Sequence, residues 1–474
     1  MRRRSPYGFG MTLALALAAC GDTPTDEPLL ASPADARDLD PDPRVVHVAL
    51  RAAPARLTIA GHDVDALAWT GQVPGPTIRA RVGDTLVVDV TNALERPTTL
   101  HWHGMRVPFA VDGVTWMQDP IALGATRTLT FEATQAGTFW YHPHFDSERE
   151  VDRGLYGAIV IEDARDDDLP TGPVLVFDTW GESADAGPES PDAAHVHGGI
   201  DDRQRAWIVN GLDDPRLVAR GGTWLRARLV NASNTGYLAI AGGSPVLIAT
   251  DQGLGPAPST PDTIVLAPGD RAEVLWPVGR EGFDVVTHRY TLHGGPLVAG
   301  PTHPDPHAGA DPDAATADPD LVRLFRVDVT SPRDAPTTLP ALAALPAPEA
   351  PTPDPGATDV VWVLQGSERG WLINGESFPD VTIPTVALGS DVVIEVRNLS
   401  PTHHPFHLHG MAFEVLSQDG RAPVSRTLED TIDLPIASRV RLLLHADNPG
   451  EWMAHCHILP HAHGMMTVLR VAEP

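Results

Sequence analysis

The chain has 474 residues, of which 42% are apolar, 42 are Gly and 47 are Pro. At roughly 150 residues per domain there is room for about three domains with real cores, and the Gly and Pro density suits short strands better than long helices. The 34 cations, all Arg, face 62 acidic residues for a net charge of −28, which argues against nucleic acid and anionic lipid headgroups as partners.

Residues 2–4 are Arg, and the apolar stretch 9–19 is too short to span a bilayer but has the length of a signal-peptide core. It ends in Leu17-Ala18-Ala19-Cys20, which resembles a bacterial lipobox. Residues 1–20 are therefore expected to export the chain to the periplasm or cell envelope, with a lipid anchor on Cys20. An ordinary cleaved signal is the alternative. Residues 21–44, rich in Asp, Pro and Ala, read as a tether. The only other cysteine is Cys456, a lone thiol in an exported chain, which implies a specific task.

Three strand-rich blocks follow, 45–165, 172–331 and 359–474, with a Pro/Ala-rich linker at 332–358. Blocks one and three share the grammar Gly-(Asp/Ser)-x-x-x-(Val/Ile)-x-Val-x-Asn, from Gly83 to Asn92 and from Gly389 to Asn398, and block two echoes it from Gly221-Gly222 to Asn231. The expected fold is all-β, with three consecutive Greek-key β-sandwiches, the middle one without metal ligands.

Random placement of 21 His would give about one His-x-His pair, yet there are six: 101/103, 142/144, 195/197, 407/409, 455/457 and 461/463. On a strand, residues i and i+2 face the same way, so each pair can offer two imidazoles to one site. In residues 455–466, an extended backbone turns Cys456 one way and His455 and His457 the other. A metal on the thiolate would be joined through two short covalent paths to metals on the histidines. Imidazole with thiolate and a weak Met suits copper.

The segments His101-Trp102-His103-Gly104, Trp140-Tyr141-His142-Pro143-His144, 404–410 and 455–466 resemble the four copper signatures of the multicopper oxidases, enzymes of three cupredoxin domains. Gly154-Leu155-Tyr156-Gly157, Ala267-Pro268-Gly269-Asp270-Arg271 and Trp371-Leu372-Ile373-Asn374-Gly375 extend the resemblance over most of the chain. It implies four coppers per chain. Type 1 copper would take His404, Cys456, His461 and axial Met466. Type 2 would take His101 and His407, and type 3 His103, His142, His144, His409, His455 and His457. The cluster would then lie between domains 1 and 3. His195, His197, His303 and His307 read as solvated, and His403 and His463 as neighbours of ligands.

The implied reaction is one-electron oxidation of a small donor coupled to four-electron reduction of dioxygen to water, with electron entry at His461 or His404 and transfer through Cys456. Asp112 occupies the place of a proton-relaying acid, with a turn-shaping role as the rival. Cuprous oxidases of the family often carry Glu after the second type 1 His, where this chain has Ala462; Glu148, just beyond the second motif, is a candidate substitute, with surface exposure the favoured reading. With eight Met and no cluster of them beyond Met465-Met466, phenols or aromatic amines are favoured over cuprous or ferrous ions. A copper-sequestering lipoprotein and a two-domain copper nitrite reductase are alternatives of other classes.

Overall fold

Alternation of side chains sets the strand faces. In Thr85–Asn92, Leu86, Val88 and Val90 point inward while Thr85, Val87 and Asp89 are half-exposed. The computed structural model describes residues 28–180, 206–288, 290–291, 295–296, 321–340, 350–367 and 370–473, and they fold as three successive two-sheet cupredoxin-like sandwiches.

One pattern repeats in all three. The opening strand (Val45–Ile59, Val174–Trp180, Val360–Ser367) runs parallel to the strand that ends in the echoed asparagine (Thr85–Asn92, Thr223–Asn231, Asp391–Asn398). That strand pairs antiparallel with Thr126–Glu132, Arg271–Val278 or Arg439–His445. In the facing sheet an early strand lies parallel to the last one: Gly75–Arg81 with Gly157–Glu162, Arg216–Arg220 with Leu321–Thr330, Thr385–Ala387 with Met466–Ala472.

The echoed asparagines do the same work each time. Asn92, Asn231 and Asn398 are buried. Each Nδ2 donates to two carbonyls of the facing loops, Arg96 and Ile121, Gly236 and Leu266, or Thr402 and Leu434. Each Oδ1 accepts the amide two residues on, at Leu94, Ser233 or Ser400. A buried amide that satisfies three backbone groups stops the strand at a fixed place.

Residues 28–44 are not the free tether expected. Leu30 bonds Arg216 through its amide (2.7 Å) and Ala36 bonds Thr77 (2.8 Å), so the segment lies along two sheet edges, one in each of the first two sandwiches. Edge strands have unpaired amides and carbonyls for an extended chain to take. Leu30 is buried in the second core, worth about 2 kcal/mol. The described ends of the linker are also held: Thr338 accepts the indole N–H of Trp224, and Thr352 bonds Glu414. Residues 1–20 with Cys20, and His195, His197, His303 and His307, lie outside the described residues.

Candidate metal centre

One sheet of the third sandwich organises the site. In it, Phe406 lies opposite Cys456, His407 opposite His455, and His455 opposite Met466. Directly opposed residues share a face, and neighbours along a strand alternate. His404, Phe406 and Cys456 therefore project to one face, and His407, His409, His455 and Met466 to the other.

On the first face, the Nδ1 of His404 lies 3.2 Å from Cys456 Sγ, the Nδ1 of His461 3.8 Å from it, and the two nitrogens 3.4 Å apart. His461 sits on the single turn Leu459–Ala462, directly after the strand Gly450–Cys456. Ser400 and Thr402 hydroxyls engage the Nε2 of His404, leaving its Nδ1 for the cysteine side. Burial pushes the Cys456 thiol up, so a thiolate there requires a cation beside it. The indole of Trp371 covers His461, with ring centroids 3.8 Å apart.

The strand register separates the two adjacent methionines, Met465 and Met466. The Cys456 amide donates to the Met465 carbonyl at 3.1 Å, so Met465 is the residue opposite Cys456. It is fully buried in the core that holds Cys456 and Phe406. Met466 faces the other way and packs with Val114, Met453 and Ala462. Three residues, Ala462, His463 and Gly464, separate His461 from Met465, and the register places Met465 beside Cys456.

On the second face, domain 1 meets the same sheet. His101 lies opposite His142 and His103 opposite Trp140 in the pair His101–His103 and Gly137–His142. The ligand atoms of three buried sets each lie within 4.8 Å of one another: His101, His103 and His142; His101, His407 and His409; His144, His409 and His455. The His457 ring is 4.8 Å from that of His103 and 5.5 Å from that of His142.

Hydrogen-bond partners set which ring nitrogens point inward. His101 Nδ1 donates to the Asp112 carbonyl, His142 Nδ1 to Pro143 and His407 Nδ1 to the Asp430 carbonyl, each at 3.0 Å. Their Nε2 atoms are buried without a partner. His103 is reversed: its Nε2 bonds the Thr431 hydroxyl (3.1 Å) and the Asp430 carboxylate (3.2 Å), and its Nδ1 is the orphan. His455 and His409 both use Nδ1 outward, to the Cys456 carbonyl and to Asp112 Oδ2. Their Nε2 lone pairs consequently face each other at 3.0 Å. Burial and neighbouring imidazoles hold His103, His142, His144, His404, His409 and His457 well below the usual range, and burial takes His455 down to about 3. Neutral, inward-facing lone pairs at such separations repel one another until a cation lies between them. This donor set fits copper.

Asp112 is fully buried, and its Oδ2 bonds His409 Nδ1 at 3.0 Å. Its Oδ1 has no hydrogen bond and lies 3.3 Å from His101 Nδ1. Glu148 is turned away from the cluster and bonds His463 at the surface (2.8 Å). His403 is buried against Asp433 (2.9 Å). Three contributors escaped the sequence reading. Trp371 and Arg271 stand within family-like passages that do not mark their roles, and nothing in the sequence around Asp430 singles it out.

Residues 52–166 and 349–474 match the family described as Multicopper oxidase. A multicopper oxidase of Mycobacterium tuberculosis is 31% identical, over 96% of this chain and 93% of its own. A multicopper oxidase structure from Pseudomonas thermotolerans superposes with a TM-score of 0.72 at 30% identity, covering 90% of this chain and 99% of its own. One from Campylobacter jejuni, described as a metallo-oxidase, gives 0.74 at 26% identity over 95% and 96%. The chain belongs to the multicopper oxidase family, copper-dependent oxidoreductases with dioxygen as the electron acceptor.

Proposed function

We propose that this is a laccase-like member, oxidising phenolic or aromatic amine donors one electron at a time. In this reading type 1 copper would be held by His404, Cys456 and His461, with Met465, opposite Cys456 in the strand register, as the thioether. Type 2 copper would be held by His101 and His407, and the type 3 pair by His103, His142, His144, His409, His455 and His457. The observation that carries it is the single sheet with a Cys/His set on one face and a histidine cluster on the other, joined through His455-Cys456-His457. When bound, the coppers supply one-electron acceptance at the thiolate site and four-electron delivery to dioxygen at the cluster.

The domains, read as 45–165, 172–331 and 359–474, divide the work, with cluster histidines from the first and third. His461 retains 8% exposure while His404 has none, so donors meet the His461 side, beneath Trp371. An aromatic ring over the entry imidazole favours flat aromatic donors. Asp112 holds His101 and His409 and can take up a proton on the free Oδ1. Support for more than a turn role comes from Gly113, whose φ of 83° and contact with Leu100 make the turn, while Asp112's carboxylate reaches the histidines. Ala462 is packed among apolar residues and relays nothing. Export and lipidation of Cys20 belong to the same proposal.

The test is copper content, absorption and steady-state rates with a phenol, cuprous ion and ferrous ion under air. About four coppers per chain and an intense blue band are expected, with the phenol preferred. Cys456→Ser should abolish the band and oxidation and leave the cluster copper largely bound. A blue Cys456→Ser protein overturns the assignment.

A further inference from the structure

The turn at 267–271 of the middle domain carries no copper ligand, yet it reaches the cluster twice. Gly269 has φ +96°, and a Cβ there would stand 3.1 Å from the rings of both His103 and His457. Its backbone therefore lies close against two cluster imidazoles, in a conformation and a space that favour glycine. Arg271, fully buried at the start of the strand Arg271–Val278, spends all five of its N–H groups. Two go to the two carboxylate oxygens of Asp430 and one each to the carbonyls of Thr138 (3.1 Å), Gly269 (3.1 Å) and Asp251 (3.0 Å). These carbonyls and that carboxylate come from all three domains.

Asp430 in turn holds the two imidazoles that face each other in parallel, His103 and His407, with ring centroids 3.8 Å apart. A carboxylate only accepts, so it requires hydrogen on His103 Nε2 and turns Nδ1 inward. A bidentate guanidinium fixes the plane of that carboxylate, and with it the plane of the ring it holds. Gly104, which follows the His101-Trp102-His103 strand, leaves room for this pair: a Cβ there would collide with Arg271 and Asp430.

We propose that the middle domain is a working wall of the three-copper cluster, with Arg271 as a positioning residue that sets the ring orientation of His103 through Asp430. The inference rests on the assignment of His103 to the cluster. Orientation rather than charge is the point: Lys keeps the charge but has three donors and no fork.

The experiment compares wild type, Arg271→Lys and Asp430→Asn for blue absorption, the type 2 electron paramagnetic resonance signal and copper retained against a graded chelator. Arg226→Lys serves as control. Arg226 is another buried arginine of the same domain, bonded to Glu273 and Asp166 rather than to any residue that touches a cluster histidine. Expected are a full blue band in every variant and a 10- to 100-fold weaker hold on cluster copper in Arg271→Lys and Asp430→Asn alone, with an altered type 2 signal. Wild-type retention and signal in Arg271→Lys overturn the proposal. Should that variant not fold, the same result in Asp430→Asn overturns it. Equal copper loss in Arg226→Lys also overturns it, because the effect would then be general loosening. A wild-type chain without blue absorption or cluster copper would instead refute the underlying ligand assignment.

Discussion

The indole of Trp371 lies over the imidazole of His461, centroids 3.8 Å apart and planes inclined by 32°, and meets His404 edge-on at 5.4 Å. With His461 buried to 8% exposure and Trp371 half-buried, the indole is the outward contact of this site. Its strand, Gly370–Ile373, forms the edge of its sheet, open on one side. Trp371→Ala should lower kcat/KM for phenols by roughly fivefold, the worth of about 1 kcal/mol of ring contact. A small inorganic donor such as ferrocyanide should lose less, and the blue band should persist. Equal losses for both donors would mean that Trp371 acts only by packing.

The strand register distinguishes the two methionines. Met465→Leu should raise the type 1 reduction potential and shift the blue band, because an axial thioether tunes this site. Met466→Leu, a volume-conserving change on the opposite face, should cost less than about 1.5 kcal/mol of stability and leave the potential unchanged. Redox titration of both variants decides it; a potential that responds to Met466 alone would restore that residue as the axial ligand.

Asp112→Asn preserves size and the hydrogen-bond acceptor for His409 while removing the titrating oxygen. Reoxidation of fully reduced protein by dioxygen should slow about tenfold, or about 1.4 kcal/mol, while reduction of the blue site by donor stays fast. Stopped-flow absorption measures both phases. Unchanged reoxidation at full copper loading would eliminate the proton role.

Glu150, on the helix Ser147–Asp152, bonds the Thr98 hydroxyl at 2.8 Å. Burial pushes its carboxyl up to about 8, Asp146 adding to the rise and Thr98, Arg149 and Arg96 opposing it. The folded state therefore keeps a proton that the unfolded chain loses near its ordinary value of 4.5. Between those limits folding takes up a proton, so this group's contribution falls as pH rises, by at most about 1.4 kcal/mol per pH unit. Glu150→Gln should remove that slope. Denaturant unfolding of wild type and variant at pH 5 and pH 8 should show the variant gaining stability relative to wild type at the higher pH; a constant difference would contradict the buried, protonated state.

Much of this molecule is written locally. The alternation of Thr85–Asn92, the His-x-His pairs and the strand-ending Asn92, Asn231 and Asn398 are readable because a strand's two-residue period is a property of the backbone itself. That period alone places Cys456 and its flanking histidines on opposite faces. What the sequence could not decide depends on partners far away in the chain. Residues 28–44 look like a tether until the free edges beside Arg216 and Thr77 are in place to pair with them. Met465 rather than Met466 stands opposite Cys456 because cross-strand register follows loop length, and a shift of one residue reverses every side chain. Asp430 and Arg271, 159 positions apart, become a pair at the cluster only when three domains close around them. A buried ion pair of that kind leaves no local pattern, since its cause is the desolvated junction that only the tertiary fold creates.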